Sequence, residues 1–231
     1  MTDTAVCRDC KEEVEVVHNR FVAHDDCPGW FALVDDQTGW EHQLESRFTE
    51  PRLDCQSPNR WHSRDADSTE FEVTSLVAAF VEALRPDIVV ETGTAWGQTA
   101  MRIGETLQDG GYGGMLHTIE PDKVRVEHCR RILEGLPVIV HEDTSLEWIE
   151  AVGEEDIEVG FAWFDSLHHL RVPEFRALHP HLAPGAFVGF HDTGPHQGPL
   201  RDEILQLEKE GLLLPVFLPT PRGVCFAEVI K

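Results

Sequence analysis

From Thr69 onward the chain alternates short apolar runs with helical repeats, and this alternation restricts its fold more than any other feature. Val73, Leu76, Val77, Phe80, Val81 and Leu84 recur at helical spacing, and Pro86 ends that helix. "DIVVE" is apolar without alternation, as expected of a strand buried on both faces of a parallel sheet. A helix over 98–107 follows, then a strand in "MLHTIE" and a helix in "PDKVRVEHCRRIL", with Pro121 in its first turn. "PVIVHE", "VGFAWFD" and "AFVGFHD" read as further strands. "SLEWIEAV", "VPEFRALHPHL" and "PLRDEILQLEKEG" read as the helices between and after them. The ending differs. "LLPVFLPT" and "GVCFAEVI" are joined by "PTPRG", too short for a crossover helix, so they must form an antiparallel hairpin. The expectation is an α/β fold: an open, doubly wound, mostly parallel sheet with one reversed strand.

Ligands bind such sheets at the carboxyl ends of the strands, near the point where strand order reverses. The residues just past those ends are Glu91-Thr92-Gly93-Thr94-Ala95-Trp96-Gly97, Glu120, Glu142-Asp143-Thr144, Asp165-Ser166 and His191-Asp192-Thr193. Most are polar and many are acidic. A dinucleotide would call for G-x-G-x-x-G and a helix N-terminus aimed at a pyrophosphate. This turn lacks that pattern, and Glu91 would repel a pyrophosphate.

These residues carry a resemblance. The region from about residue 70 to the end is similar to the class I S-adenosylmethionine-dependent methyltransferases. "VVETGTAWGQTA" resembles their first motif and "TIEPD" their acidic second strand end, and the terminal hairpin resembles their reversed last strand. The resemblance implies a seven-stranded Rossmann-like sheet. It also implies that Glu91, Gly93, Thr94, Gly97, Glu120, Asp143 and Asp165 line the donor site. Gly93 and Gly97 would let the backbone pass the methionine moiety, and Glu91 would position its amino group. Glu120 would accept from the ribose hydroxyls and Asp143 would lie near the adenine amino group. Ala95 stands where a glycine is commoner. A cationic sulfonium without phosphates suits an acid-lined pocket.

"FDSLHHL" and "GFHDTG" bear on the acceptor. Asp165 and Asp192, with His191 beside one of them, form an oxygen-rich set of the kind that holds Mg2+ or Mn2+. A cation there would lower the pKa of an acceptor hydroxyl. The pattern is similar to metal-assisted O-methyltransferases acting on sugars and natural-product hydroxyls. Their D-x-D-H reads Asp165-Ser166-Leu167-His168 here, so the second acid is missing. Imidazole titrates near neutrality, so His168 or His169 can act as general base, with His168 preferred and Asp165 assigned beside it as catalytic. Either histidine can equally cap the following helix. Trp96 would line the donor pocket or pack on a helix.

The first 34 residues pose a separate question. Cys7, Cys10, His24 and Cys27 spell C-x2-C, thirteen residues, H-x2-C, the spacing of a tetrahedral zinc site. "VEVV" and "RFVA" supply two short strands between the pairs. So short a segment cannot bury enough surface to fold alone, and Zn2+ would stabilise it. His18, Asp25 and Asp26 compete for the fourth ligand position. The ribbon would be structural or would dock a partner.

The chain therefore divides into a zinc-ribbon-like module (1–34), a polar connector or lid (35–68) with a short helix in "GWEHQLESRF", and a methyltransferase-like domain (69–231). A formal charge of −23 disfavours nucleic acid and anionic membrane surfaces as partners. No apolar run is long enough to span a bilayer and no basic-then-apolar leader opens the chain, so the expected location is the cytoplasm. The expected function is methyl transfer from S-adenosylmethionine to a small hydroxylated acceptor, with a homo-oligomer or a ribbon-bound protein as further partner. The alternatives are a cofactor-holding adaptor, a protein methyltransferase recruited by the ribbon, and a nicotinamide-dependent oxidoreductase.

Overall fold

The apolar runs of the sequence become the strands of two sheets in the computed structural model, which describes residues 3–7, 13–17, 20–21, 31–33, 61–63, 68–152 and 157–231. The first sheet is antiparallel, in the order β3-β2-β1-β4. Its strands are β1 (Asp3–Cys7), β2 (Glu13–Val17), β3 (Arg20–Phe21) and β4 (Phe31–Leu33). β2 and β3 are the two strands expected in "VEVV" and "RFVA"; β1 and β4 carried no expectation. Cys7 closes β1. Cys10, His24 and Cys27 lie outside the described residues, as do His18, Asp25, Asp26 and the helix expected in "GWEHQLESRF".

The second sheet has seven strands, in the order β10-β11-β9-β8-β5-β6-β7. They are β5 (Ile88–Thr92), β6 (Met115–Glu120), β7 (Val138–Glu142), β8 (Val159–Phe164), β9 (Leu182–His191), β10 (Leu213–Leu218) and β11 (Val224–Val229). β5 pairs in parallel with both β6 and β8, so strand order reverses there. β11 is the reversed strand, antiparallel to β9 and β10. The doubly wound, seven-stranded expectation holds.

Period-two alternation sends neighbouring residues to opposite faces. On β8, Phe161 and Trp163 join the core beneath α1 (Phe71–Leu84), α2 (Gln98–Gly110) and α3 (Lys123–Ile132). Ala162 and Phe164 join the core beneath α4 (Ser145–Val152), α5 (Arg171–Leu178) and α6 (Leu200–Lys209). Gly189 on β9 is bare because an added Cβ would lie 2.5 Å from the Trp163 ring.

Several boundaries differ from expectation; α2, for one, runs on to Gly110 and not to residue 107. α3 starts two residues later than expected, at Lys123, because the Asp122 side chain accepts from Arg125 N at 2.9 Å and caps the helix; Pro121 precedes the cap. α5 stops at Leu178, where Pro180 forces a short 3-10 turn, and β9 begins at once. Among the described residues no helix is long and apolar enough to cross a membrane.

Candidate active site at the strand ends

The turn after β5 is built by three left-handed residues, Gly93 (φ 85), Ala95 (φ 47) and Gly97 (φ 81). A Cβ on Gly93 would sit 2.5 Å from the Asp165 carbonyl oxygen, so its bareness lets the ends of β5 and β8 close up. A Cβ on Gly97 would meet Cys129 Sγ and Ile132 Cδ1 at 3.1 Å, so Gly97 seats the turn on α3. Ala95 N donates to Glu120 Oε2 at 2.9 Å, and Asp122 N donates to Glu120 Oε1 at 3.0 Å. Both oxygens are thereby fixed, and each keeps a lone pair for a further donor.

Glu91 is almost wholly buried. Thr118 Oγ1 donates to its Oε2 at 2.5 Å, and Thr118 in turn shares a hydrogen bond with Thr94. Burial drives its pKa up to about 8 against the Thr118 hydrogen bond, with Asp165 and Glu120 adding to the rise. A carboxyl in that condition is poised for a cation, which would return it to the ionised form. The donor's ammonium group is such a cation. Glu91, the fixed Glu120 and the open lone pairs therefore suit S-adenosylmethionine. Asp143, half-buried beyond β7, accepts from Thr144 N at 2.8 Å. Trp96 stacks edge-on against His128, with Arg125 over its ring at 5.6 Å, so it packs on α3.

Beside this pocket, the ends of β8 and β9 hold a block of charges. Asp192 sits in a left-handed conformation (φ 54), a strain tolerated at sites that the surroundings over-determine. His191 is fully buried. Its Nε2 lies 2.6 Å from Glu70 Oε2 and its Nδ1 lies 3.1 Å from Asp165 Oδ1. Carboxylates only accept, so both ring nitrogens carry protons. Burial works to lower the His191 pKa, but Asp165, then Asp192 and Glu70, outweigh it and push it up to about 10. The two aspartates move the other way: burial raises them, and His191 followed by hydrogen bonds and arginines holds both below the usual carboxylate range.

Asp165, His191 and Asp192 offer ligand atoms within 4.8 Å of one another, as the sequence suggested. Their partners make them a poor cation site. Asp165 Oδ1 accepts from Arg171 Nη2 at 3.1 Å, and Oδ2 accepts from Thr69 Oγ1 at 2.5 Å. Asp192 Oδ1 accepts from Arg222 Nε at 2.6 Å. Asp192 Oδ2 accepts from Arg171 Nη2 and Arg222 Nη2, both at 3.0 Å. A doubly protonated imidazole has no lone pair to give a metal. The expected ligand set comes together, but its donor atoms do not fit Mg2+ or Mn2+.

His168 Nε2 lies 3.2 Å from Asp192 Oδ2, and its side chain is 40% exposed. His169 is exposed. Glu70, Thr69, Arg171 and Arg222 escaped the sequence reading. Arg222 lies in the β10–β11 turn and Arg171 opens α5, where an arginine ordinarily reads as solvated. Glu174 escaped it too. Buried in α5, it accepts from Thr92 Oγ1 and Ser166 Oγ at 2.8 Å and from Ser145 Oγ, tying three strand-end segments together.

Residues 90–193 match a sequence family described as a methyltransferase domain. No curated protein matches the sequence. The fold is that of solved O-methyltransferases. One, from Bacillus cereus in complex with SAH, is 15% identical over 72% of this chain and 84% of its own, with a TM-score of 0.64. TomG from Streptomyces achromogenes, involved in tomaymycin synthesis and solved with SAM, is 16% identical over 71% and 82%, with a TM-score of 0.63. A Klebsiella pneumoniae protein assigned as an O-methyltransferase is 19% identical over 72% and 84%, with a TM-score of 0.64.

Proposed function

We propose that this chain, whose residues 90–193 match a methyltransferase-domain family and whose fold is shared with solved O-methyltransferases, transfers the methyl group of S-adenosylmethionine to an oxygen of a small hydroxylated acceptor. The donor supplies a methyl group on a cationic sulfur. The chain supplies position and proton transfer. Glu91 and Glu120 offer acceptors to the ammonium and ribose ends, and Asp143 offers one near the base. The observation that carries the acceptor reading is the His168–Asp192 contact at 3.2 Å. Asp192 can only accept, so Nε2 carries the proton and Nδ1 is the basic atom. His168 removes the acceptor's hydroxyl proton at Nδ1, and Asp192 stabilises the resulting imidazolium. Asp165, engaged by His191, Arg171 and Thr69, orients the block and takes no proton.

The test follows S-adenosylhomocysteine release across a panel of phenolic and sugar hydroxyl acceptors. His168→Asn should lower turnover about 10²–10⁴-fold while leaving S-adenosylhomocysteine affinity unchanged. Turnover unaffected by His168→Asn would remove the base assignment. Donor binding with no turnover on small molecules would favour the adaptor reading, and methylation of a protein alone would favour the recruited protein methyltransferase.

The N-terminal module we read as a Zn2+ site of Cys7, Cys10, His24 and Cys27. Strand register supports it. Cys7 pairs opposite Phe31, and β2 runs antiparallel to both β1 and β3, so the strand termini Cys7, Glu13, Phe21 and Phe31 lie at one end of the sheet. One equivalent of zinc in the purified protein, lost in the Cys7→Ser, Cys10→Ser double variant, is the expected result. The cytoplasmic location and a protein partner or second copy belong to the same reading.

A further inference from the structure

We infer that the Asp165–His191–Asp192 cluster is a closed ion-pair block, in which Arg171 and Arg222 stand where a divalent cation would stand, and that this chain transfers methyl groups without Mg2+ or Mn2+. The inference rests on the methyltransferase reading.

The argument is one of occupancy. All four carboxylate oxygens of Asp165 and Asp192 already receive a hydrogen bond from a cationic group or a hydroxyl. Both nitrogens of His191 are donors, because each faces a carboxylate. The charges balance within the block: Glu70, Asp165 and Asp192 against Arg171, Arg222 and His191. A divalent ion would have to expel both guanidinium groups from buried partners. Arg171 is 3% exposed and Arg222 14%, so neither can simply swing into water. Leaving such charges buried and unpaired is strongly unfavourable. Arg222 also donates from Nη1 to Ser68 O at 3.0 Å, which fixes the fork from a second direction. A paired guanidinium therefore provides the fixed positive charge at this strand end.

Mn2+ serves as the probe, on the full chain in its zinc-loaded form. The free-ion electron paramagnetic resonance signal is followed as equimolar Mn2+ is added to wild type and to Asp192→Asn. The expected result is superimposable titrations and no shift of the wild-type melting temperature with Mg2+. Because Asp192→Asn removes a buried charge that two arginines hold, 15N-histidine NMR of the wild type gives a reading independent of the variant's folding. His191 should show two slowly exchanging N–H protons that Mn2+ does not broaden. One equivalent of Mn2+ taken up by wild type and not by Asp192→Asn would overturn the inference, as would a singly protonated His191 broadened by Mn2+. S-adenosylhomocysteine binding is measured on the same samples with and without EDTA. Binding in neither buffer would overturn the methyltransferase reading and leave the ion result to be judged by itself.

Discussion

His191 and Glu70 meet across 121 positions of sequence, Nε2 to Oε2 at 2.6 Å, and neither side chain is exposed. The contact joins the end of β9 to the residue that precedes α1. It supplies one of the three carboxylates that hold His191 doubly protonated.

Replacing Glu70 by Gln keeps the shape and removes the charge. Breaking a buried pair leaves its partner uncompensated, so Glu70→Gln should lower unfolding free energy by roughly 3 kcal/mol. Urea denaturation measures it, and an unchanged midpoint would mean that His191 does not need this partner.

Glu91 gives a pH dependence. Its folded pKa is raised from 4.5 to about 8, so the folded state holds its proton longer than the unfolded chain. Its contribution to stability is fully present below about 4.5 and is lost as pH rises through about 8. His191, raised from 6.5 to about 10, acts in the same direction at higher pH. The ligand-free protein should therefore lose melting temperature as pH rises from about 5 to about 8, and Glu91→Gln should flatten that part of the profile. A wild-type profile that rises with pH would contradict the buried, protonated carboxyl.

The same residue predicts proton release on binding. If Glu91 ionises against the ligand's ammonium group, calorimetry with S-adenosylhomocysteine near neutrality should show heats that depend on the buffer's ionisation enthalpy. Glu91→Gln should abolish the dependence and weaken binding.

Ala95 holds a left-handed conformation (φ 47) that costs an L-residue about 1 kcal/mol, while its N–H holds Glu120. Ala95→Gly should raise stability by roughly that amount with donor affinity retained. A fall in thermal stability would show that the methyl group packs more favourably than the backbone is strained.

Gly189→Ala should do the reverse. The new Cβ would press on Trp163, which is fully buried between strands and helices. Overpacking of this kind costs about 1–3 kcal/mol, read as a lower midpoint in chemical denaturation.

Much of this protein was legible before its structure. The apolar runs from Ile88 to Val229, the helical repeats between them and the short "PTPRG" connection are local signals, and they predict a doubly wound sheet with a reversed strand. Strand ends follow from strands, so Glu91, Glu120, Asp165 and Asp192 could be grouped from sequence alone. Periodicity reports burial, and burial is written residue by residue.

What the sequence by itself could not supply is the partnering of those groups. Asp165 and Asp192 read as an open pair of acids suited to a cation. The tertiary structure brings Glu70 from before α1, Arg171 from α5 and Arg222 from the final turn onto them. Each of those residues is ordinary in its own segment, and only chain packing sets its distance from the others. Electrostatic effect depends on separation and burial together, so the same carboxylates that suggest a metal in one dimension are satisfied by arginine and histidine in three.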